Sequence, residues 1–316
     1  MIRPLRLVPD DTSIRFMRGR FAGLITSAIL SIASVILFFY PGLNYGVDFA
    51  GGVVAEIRLA KAEEPAALRA AFDLLQFGGV SVQEFGSARD VLVRLDRQAA
   101  DENAQQAIKA MVAAKFPGAE IRRIEVVGAR VSQELFRSGL LATSLALVAV
   151  LLYIWFRFDW QFGVGVVATL LLDATKTIGF LALTRIEFDL NSVAAILLLV
   201  GYSVTDKVVV YDRIRENLRK YKTMPLRELI DLSINQTLGR TVATSLTVLL
   251  SILPLAIIGG AAIRGFAVTI IFGIVVGTSS SIFIASPILL FLGQKRLRPA
   301  ASQPTRPETA PARTPA

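Results

Sequence analysis

Between Leu190 and Asn217 a strongly apolar run, Leu190 to Val204, meets Thr205, Asp206 and Lys207 and then resumes as Val208-Val209-Val210-Tyr211. It ends in Asp212-Arg213-Ile214-Arg215-Glu216-Asn217. The apolar stretch is long enough to cross a bilayer, which takes about 20 helical residues. A carboxylate and an ammonium side by side at such a depth cost on the order of 2–3 kcal/mol each, even on lenient scales. They are tolerated where they face a bundle interior or a water-filled path. A chain with this segment therefore has to fold as a bundle of spans that hides it.

Six apolar segments reach membrane length: Phe21–Tyr40, Gly139–Phe156, Phe162–Leu183, Leu190–Tyr211, Arg240–Ile258 and Phe266–Leu292. The charged fraction, 19%, agrees, because soluble domains carry roughly 25%. The first segment is too long for a cleaved signal peptide, and no small-residue cleavage site follows Tyr40. Arg3, Arg6, Arg15, Arg18 and Arg20 precede it. Arg213, Arg215, Arg219, Lys220, Lys222 and Arg227 lie between the fourth and fifth segments, and Lys295, Arg296 and Arg298 follow the sixth. The short loops of the other side carry only Arg185 and Arg264. This positive-inside bias predicts a multi-pass membrane protein with both termini cytoplasmic. It also accounts for the net charge of +9 without nucleic acid as a partner. With no cysteine, disulfides and thiolate metal sites are excluded. With no histidine, any proton handling falls to carboxylates, Lys, Arg, Tyr or water.

The spans divide the chain into a cytoplasmic N-terminus (1–20), a first span (21–41), an outer domain (42–136), a five-helix membrane domain (137–293) and a tail (294–316). In the outer domain Val53–Leu59 reads as a strand and Glu63–Leu75 as an amphipathic helix. Val80–Phe85 and Val91–Leu95 read as a hairpin joined by Gly86-Ser87-Ala88-Arg89. Asp101 is placed to cap a second helix, and Glu120–Val127 is a final strand. The order β-α-β-β-α-β is that of a ferredoxin-like α+β sandwich. Its charges look scattered, with no catalytic constellation. The expectation is a solvated scaffold or a small docking or substrate-handling module, with no enzyme activity, cofactor or metal. The stretch 212–239 is amphipathic, is broken by Met224-Pro225, and reads as an interfacial helix near anionic lipid or a cytoplasmic partner. The Pro-rich tail cannot bury a core and reads as disordered.

Five motifs in order carry a resemblance. Gly46-Val47-Asp48-Phe49-Ala50-Gly51-Gly52 is similar to a G-x-D-F-x-G-G signature, and Tyr153-Ile154-Trp155-Phe156-Arg157-Phe158 to a Y-x-x-x-R-F segment. Gly201-Tyr202-Ser203-Val204-Thr205-Asp206 and Val208 to Asn217, with Asp212 and Arg213 among them, resemble G-Y-S-x-N-D-x-V-V-V-x-D-R-I-R-E-N. Gln236-Thr237-Leu238-Gly239-Arg240-Thr241 resembles Q-T-L-x-R-T, and Gly273, Gly277, Thr278, Ser280, Ser281 and Ile282 fit a small-residue sixth span. Together they resemble the SecF family, the smaller subunits of SecD–SecF protein-export complexes.

That resemblance implies a polytopic α-helical membrane protein of six transmembrane helices, half of an RND-type bundle, with one periplasmic domain. It implies a SecD-like subunit as partner, the SecYEG channel and translocating preproteins as further partners, and use of the proton motive force in late translocation. It carries the ion path over to Asp206 and Arg240. Alone, Arg240 reads equally as a snorkelling anchor. The chain departs from the family at Leu172-Asp173, where relatives have His-Asp, at Thr205, and at Lys176 and Lys207. Asp173 and Lys176 are spaced to pair on one helical face, and Lys207 projects about 100° round the helix from Asp206, toward another surface. Each lysine reads either as a counter-ion or as a change in the coupling group. Counting Asp173 and Asp206 against Lys176, Lys207 and Arg240 leaves one excess positive charge, to be met by a partner's carboxylate or by a neutral lysine. Asp48 reads as a functional carboxylate or a cap. Gly51-Gly52 is no phosphate loop, since no Gly-Lys-Ser/Thr follows. Gly259-Gly260 and Gly273/Gly277 read as close-packing positions. Trp155 and Trp160 read as interfacial anchors. Two other classes stay open: a stand-alone RND-type ion or small-molecule transporter, and a purely structural assembly factor.

Overall fold

A computed structural model describes residues 8–9, 12–85, 87–95 and 103–293. A single 3₁₀ turn, Phe16–Gly19, leads into α1, Arg20–Phe39. The two-residue strand β1, Asn44–Tyr45, and the one-turn α2, Val47–Ala50, then enter the sheet domain. That domain runs β2 (Gly52–Arg58), α3 (Pro65–Asp73), β3 (Val80–Phe85), β4 (Ser87–Leu95), α4 (Ala104–Lys115) and β5 (Glu120–Val127). The sheet order is β3-β4-β2-β5, and every neighbouring pair is antiparallel. The succession strand–helix–strand, twice, is the one the residue pattern predicts.

Alternation along the strands explains the packing. Val53, Ala55 and Ile57 of β2 and Val91, Val93 and Leu95 of β4 point to one face, where Leu68 and Phe72 of α3 and Ile108 and Val112 of α4 cover them. The hairpin differs from the expectation. β4 begins at Ser87, not at Val91, and pairs almost from its first residue. Ser87 Oγ donates to Asp90 Oδ2 at 2.7 Å, so polar residues that read as a loop are used inside a strand. Gly86 of that hairpin and the predicted cap Asp101 lie outside the described residues, as does the tail from 294.

The remaining spans are α5 (Ala129–Arg157), α6 (Trp160–Thr184), α7 (Leu190–Lys220), α8 (Leu226–Ile258) and a sixth built of α9 (Ala261–Ser280), a π-helical turn (Ser281–Ala285) and α10 (Ser286–Gly293). A second short strand, β6 (Glu187–Phe188), pairs in parallel with β1. Among the described residues six helices are long and apolar enough to cross a membrane. Half or more of the apolar window of α6, α7 and the sixth span is buried within the chain, against 17% or less for α1, α5 and α8. The three central helices are therefore the ones able to hide charge. The close fit of α9 on α7 depends on Gly273 and Gly277: a Cβ at the first would collide with Leu199, and at the second would crowd Ser203 Oγ at 3.2 Å.

Two boundaries correct the sequence reading. α5 starts ten residues before the apolar segment, at Ala129, so the helix continues through the end of the 42–136 stretch. The 212–239 stretch is not a separate interfacial helix. α7 runs on to Lys220 and α8 starts at Leu226, leaving Tyr221–Pro225 as the connection. The stripe Leu226, Leu229, Ile230 and Ile234 is buried against Met17, Val210, Tyr211 and Ile214. An apolar stripe at helical spacing has the same pattern whether lipid or protein covers it. Here the N-terminal turn covers it, pinned by Met17 N to Asp231 Oδ1 at 2.8 Å and by Ile14 N to Asn235 Oδ1 at 3.0 Å.

Candidate functional site

Helical spacing puts the polar residues of α7 on two sides. Ser203 and Lys207, four apart, face α6 and α9, whereas Tyr202 and Asp206 face α8. On the first side Lys207 Nζ donates to Asp173 Oδ2 at 2.9 Å, to Ser280 Oγ at 2.9 Å and to Ser203 Oγ. The hydroxyls of Ser203 and Ser280 donate in turn to the same carboxylate oxygen, at 2.9 and 2.6 Å. Lys176 Nζ stands 3.8 Å from Asp173 Oδ1, and that oxygen has no hydrogen bond among the described residues. The cluster is nearly sealed: exposures are 2% for Asp173 and 0% for Lys207, and Lys176, at 5%, keeps the most access. The pairing expected of Lys176 thus falls chiefly to Lys207. The i,i+3 spacing brings Lys176 near Asp173, but the serines of two other helices fix the carboxylate toward Lys207.

On the second side Thr241 Oγ1 donates to Asp206 Oδ1 at 2.7 Å, and Asp206 Oδ2 is buried without a partner among the described residues. Tyr202 Oη bonds Ser245 Oγ at 2.6 Å, and Ser245 Oγ bonds Thr278 Oγ1 at 2.8 Å, so a polar seam joins α7, α8 and α9. Arg240 makes no ion pair with Asp206 among the described residues. Thr241 occupies the position facing Asp206, and Arg240, one residue earlier, lies on the exposed side of α8. Sequence reasoning did not assign Ser203, Ser280, Thr241, Tyr202 or Ser245 to a site. Ser203 was accessible as the residue four before Lys207. Ser280, 73 positions from Lys207, was not.

The glycine motif builds a joint between sheet domain and bundle. Gly51 and Gly52 have φ of +75° and +120°, where side chains are strained, and they let the chain turn from α2 into β2. Asp48 Oδ2 accepts from Leu190 N at 3.0 Å, so its carboxylate caps α7 at that helix's N-terminus. Gly46 N donates to Phe188 O at 2.9 Å, and the Phe49 ring packs at a tilt against Phe188 and edge to face against Phe136, with centroids 5.5 and 5.6 Å apart. Arg94 of β4 donates to Asn44 Oδ1 and Tyr45 O, both at 3.1 Å, and forms an ion pair with Glu187. Burial pushes the Glu187 carboxyl above its ordinary range, against the pull of Arg94. At this joint the open face of the sheet, with Val54, Glu56 and Glu125, and the bundle end, with Glu187, Asn191 and Arg264, enclose a cavity of about 560 Å³. Gly260 reaches the same region, 3.6 Å from Glu56 Oε1 as measured from an ideal Cβ.

The other motif residues fasten the opposite end. Arg157 Nη2 donates to Asp212 Oδ2 at 2.8 Å, tying α5 to α7. Arg213 Nε and Asn217 Nδ2 both donate to Gln236 Oε1, at 2.7 and 2.8 Å, and so join α7 to α8. Trp155 and Trp160 are exposed on the bundle surface.

Six membrane-length helices, a small sheet domain inserted after the first of them and charge held on the central helices define a multi-pass membrane protein of the translocation or transport class. The sequence profile described as "Protein export membrane protein SecD/SecF, C-terminal" matches residues 107–295, and that of the "SecD/SecF GG Motif" matches residues 36–63. The chain is 42% identical to the protein translocase subunit SecF of Rickettsia felis over 299 residues, 93% of this chain and 97% of that protein. It is 41% identical to the same subunit of Rickettsia prowazekii, over 93% and 96% of the two chains. SecDF of Thermus thermophilus, described as a translocon-associated membrane protein, superposes with a TM-score of 0.83 at 35% identity over 92% of this chain. SecDF in a super-membrane-facing form gives 0.69 at 34% identity. The chain spans 40% of the length of each of these SecDF chains. It belongs to the SecD/SecF family of protein-export membrane proteins.

Proposed function

We propose that this chain is the SecF-type subunit of a translocase accessory complex. It pairs in the inner membrane with a SecD-like subunit, both termini lie in the cytoplasm, and the sheet domain is periplasmic. The complex uses the proton motive force to assist late preprotein translocation through SecYEG. The supporting observation is the polar face of α7 and α8. Thr205, Thr244, Thr247, Ser251 and Arg240 are exposed on helices of membrane-span apolarity, beside the half-satisfied Asp206. Such groups face protein or water rather than lipid. A second half-bundle laid on this face encloses Asp206 and Arg240 together, which makes them the ion path, with Asp173, Lys176 and Lys207 behind. The names of the relatives and of SecDF, a longer chain containing a counterpart of this one, support the same pairing.

The test has two arms. Affinity purification from native membranes should recover a SecD-like chain and the SecYEG channel. Asp206→Asn and Arg240→Met should abolish export stimulation while leaving that recovery intact. Normal stimulation by Asp206→Asn would sink the ion-path role, and recovery of neither partner would sink the assembly.

A further inference from the structure

We propose that Lys176 is a proton-exchange site of this chain: it takes up and releases a proton beside the Asp173–Lys207 pair. The inference deepens the ion-coupling part of the proposed function and rests on it for its physiological meaning, though not for its first test. The starting point is a charge count in a closed space. Asp173, Lys176 and Lys207 are at most 5% exposed within this single chain. A carboxylate from a second subunit therefore has no approach to them, and the excess positive charge has to be resolved inside. No other charge is at hand. α1 carries none from Phe21 to Phe39, α5 none from Leu140 to Phe156, and the sixth span none from Gly265 to Gly293. On α6 the only charged residues are Asp173 and Lys176 themselves. On α7, Asp206 is turned to Thr241 on the other side of the helix. The phenol of Tyr211 donates to Ala285 O at 2.8 Å, and that of Tyr202 is bonded to Ser245.

The two lysines are held differently, and that difference assigns the roles. An ammonium has three donors and no acceptor. Lys207 uses all three, on Asp173 Oδ2, Ser203 Oγ and Ser280 Oγ. Both serine hydroxyls also lie within hydrogen-bond distance of Asp173 Oδ2, and Ser280 Oγ reaches Gly277 O as well, at 2.9 Å. Lys207 and the carboxylate thus share one complete set of polar partners. Lys176 has one loose contact, 3.8 Å to Asp173 Oδ1, and that oxygen accepts nothing among the described residues. A neutral Lys176 leaves a balanced Asp173–Lys207 pair. Fully buried lysines are known to stay neutral near physiological pH. On uptake, a hydronium ion gives a proton to the Nζ lone pair and leaves as water, and the new ammonium is held by the free Oδ1. On release, the N–H bond breaks, the proton returns to water and the lone pair stays on nitrogen. The π-helical turn from Ser281 adjoins Ser280, so the third wall of the cluster sits where the sixth span departs from α-helical geometry. Such bulges mark functional sites in many helices.

The experiment uses the intact complex in nanodiscs with lysine labelled at the ε-carbon. Nuclear magnetic resonance is followed from about pH 5 to about pH 9. One resonance should shift with pH and be missing from Lys176→Met. Lys176→Met should still assemble, since Asp173 and Lys207 remain balanced, but its export stimulation should lose the pH dependence of the wild type. A Lys176 resonance indifferent to pH, a moving resonance that disappears in Lys207→Met, or failure of Lys176→Met to assemble would each overturn the assignment. The two readings separate cleanly. Normal export by Asp206→Asn beside a titrating Lys176 removes only the coupling role, whereas an inactive Asp206→Asn beside a silent Lys176 removes only this inference.

Discussion

At the scale of single residues, the buried ion pair and the half-buried one respond to different perturbations. Lys207 and Asp173 sit in contact at 2.9 Å with serines on every remaining donor. Removing one partner of such a pair strands the other charge, at a cost of roughly 3–5 kcal/mol. Lys207→Met should therefore lower thermal stability sharply. The double change Asp173→Leu with Lys207→Met should recover most of the loss, a coupling that a double-mutant cycle reads directly. Additive losses would show that the pair is not coupled. Glu187 responds to pH instead. Burial raises its folded value above the ordinary 4.5. In the window above 4.5 the folded chain keeps a proton that the unfolded chain has released. The stability this gives is full below 4.5 and is lost as pH climbs through the raised folded value. Glu187→Gln removes the titration. The melting temperature of the wild type minus that of the variant should fall as pH is raised through that window. A difference that stays level would mean that the Arg94 guanidinium outweighs the burial.

At the scale of elements, the strongly periodic segments were legible and the long-range partners were not. β5 was readable to its ends, from Glu120 to Val127, because a short run rich in Ile and Val is a local signal. The six spans were equally plain. The start of α5 was hidden because Ala129 to Arg137 carries enough charge to read as soluble chain, although the helix needs no apolarity there. The destination of the Leu226–Ile234 stripe was hidden because amphipathicity names a face, not its cover. Lys207 was assigned to another surface because helix rotation gives its direction but not which of α6, α8 or α9 lies there. The packing of α9 on α7 gives a prediction at this scale. A leucine at Gly277 would have to displace Ser203, whose hydroxyl orders Asp173. Gly277→Leu should separate the helices and cost on the order of 1–3 kcal/mol by overpacking. Gly201→Leu, where a Cβ meets nothing within 4 Å in the isolated chain, should leave the subunit's melting temperature unchanged but weaken its assembly. Equal melting temperatures for the two variants would mean that Gly277 is not a contact position.

At the scale of the whole molecule, the chain is fastened at both ends of its bundle and polar across one side. Arg94, Asn44 and Asp48 lock the sheet domain to the start of α7, while Arg157, Asp212, Arg213 and Gln236 lock α5, α7 and α8 at the far end. Both fastenings attach to α7, the helix that carries Asp206 and Lys207. The charge bias predicts which end faces the cytoplasm. The basic residues gather beside the Tyr221–Pro225 connection, and the sheet side carries few in its short loops. The absence of cysteine makes this directly measurable. Ala66 on α3 and Thr223 in the connection are both exposed, so each accepts a cysteine without disturbing a core. A membrane-impermeant thiol reagent added to spheroplasts should label Ala66→Cys at once and Thr223→Cys only after lysis. The reverse order would invert the molecule in the membrane and place the sheet domain on the cytoplasmic side. Simultaneous labelling of both would show that the basic residues do not set a single orientation.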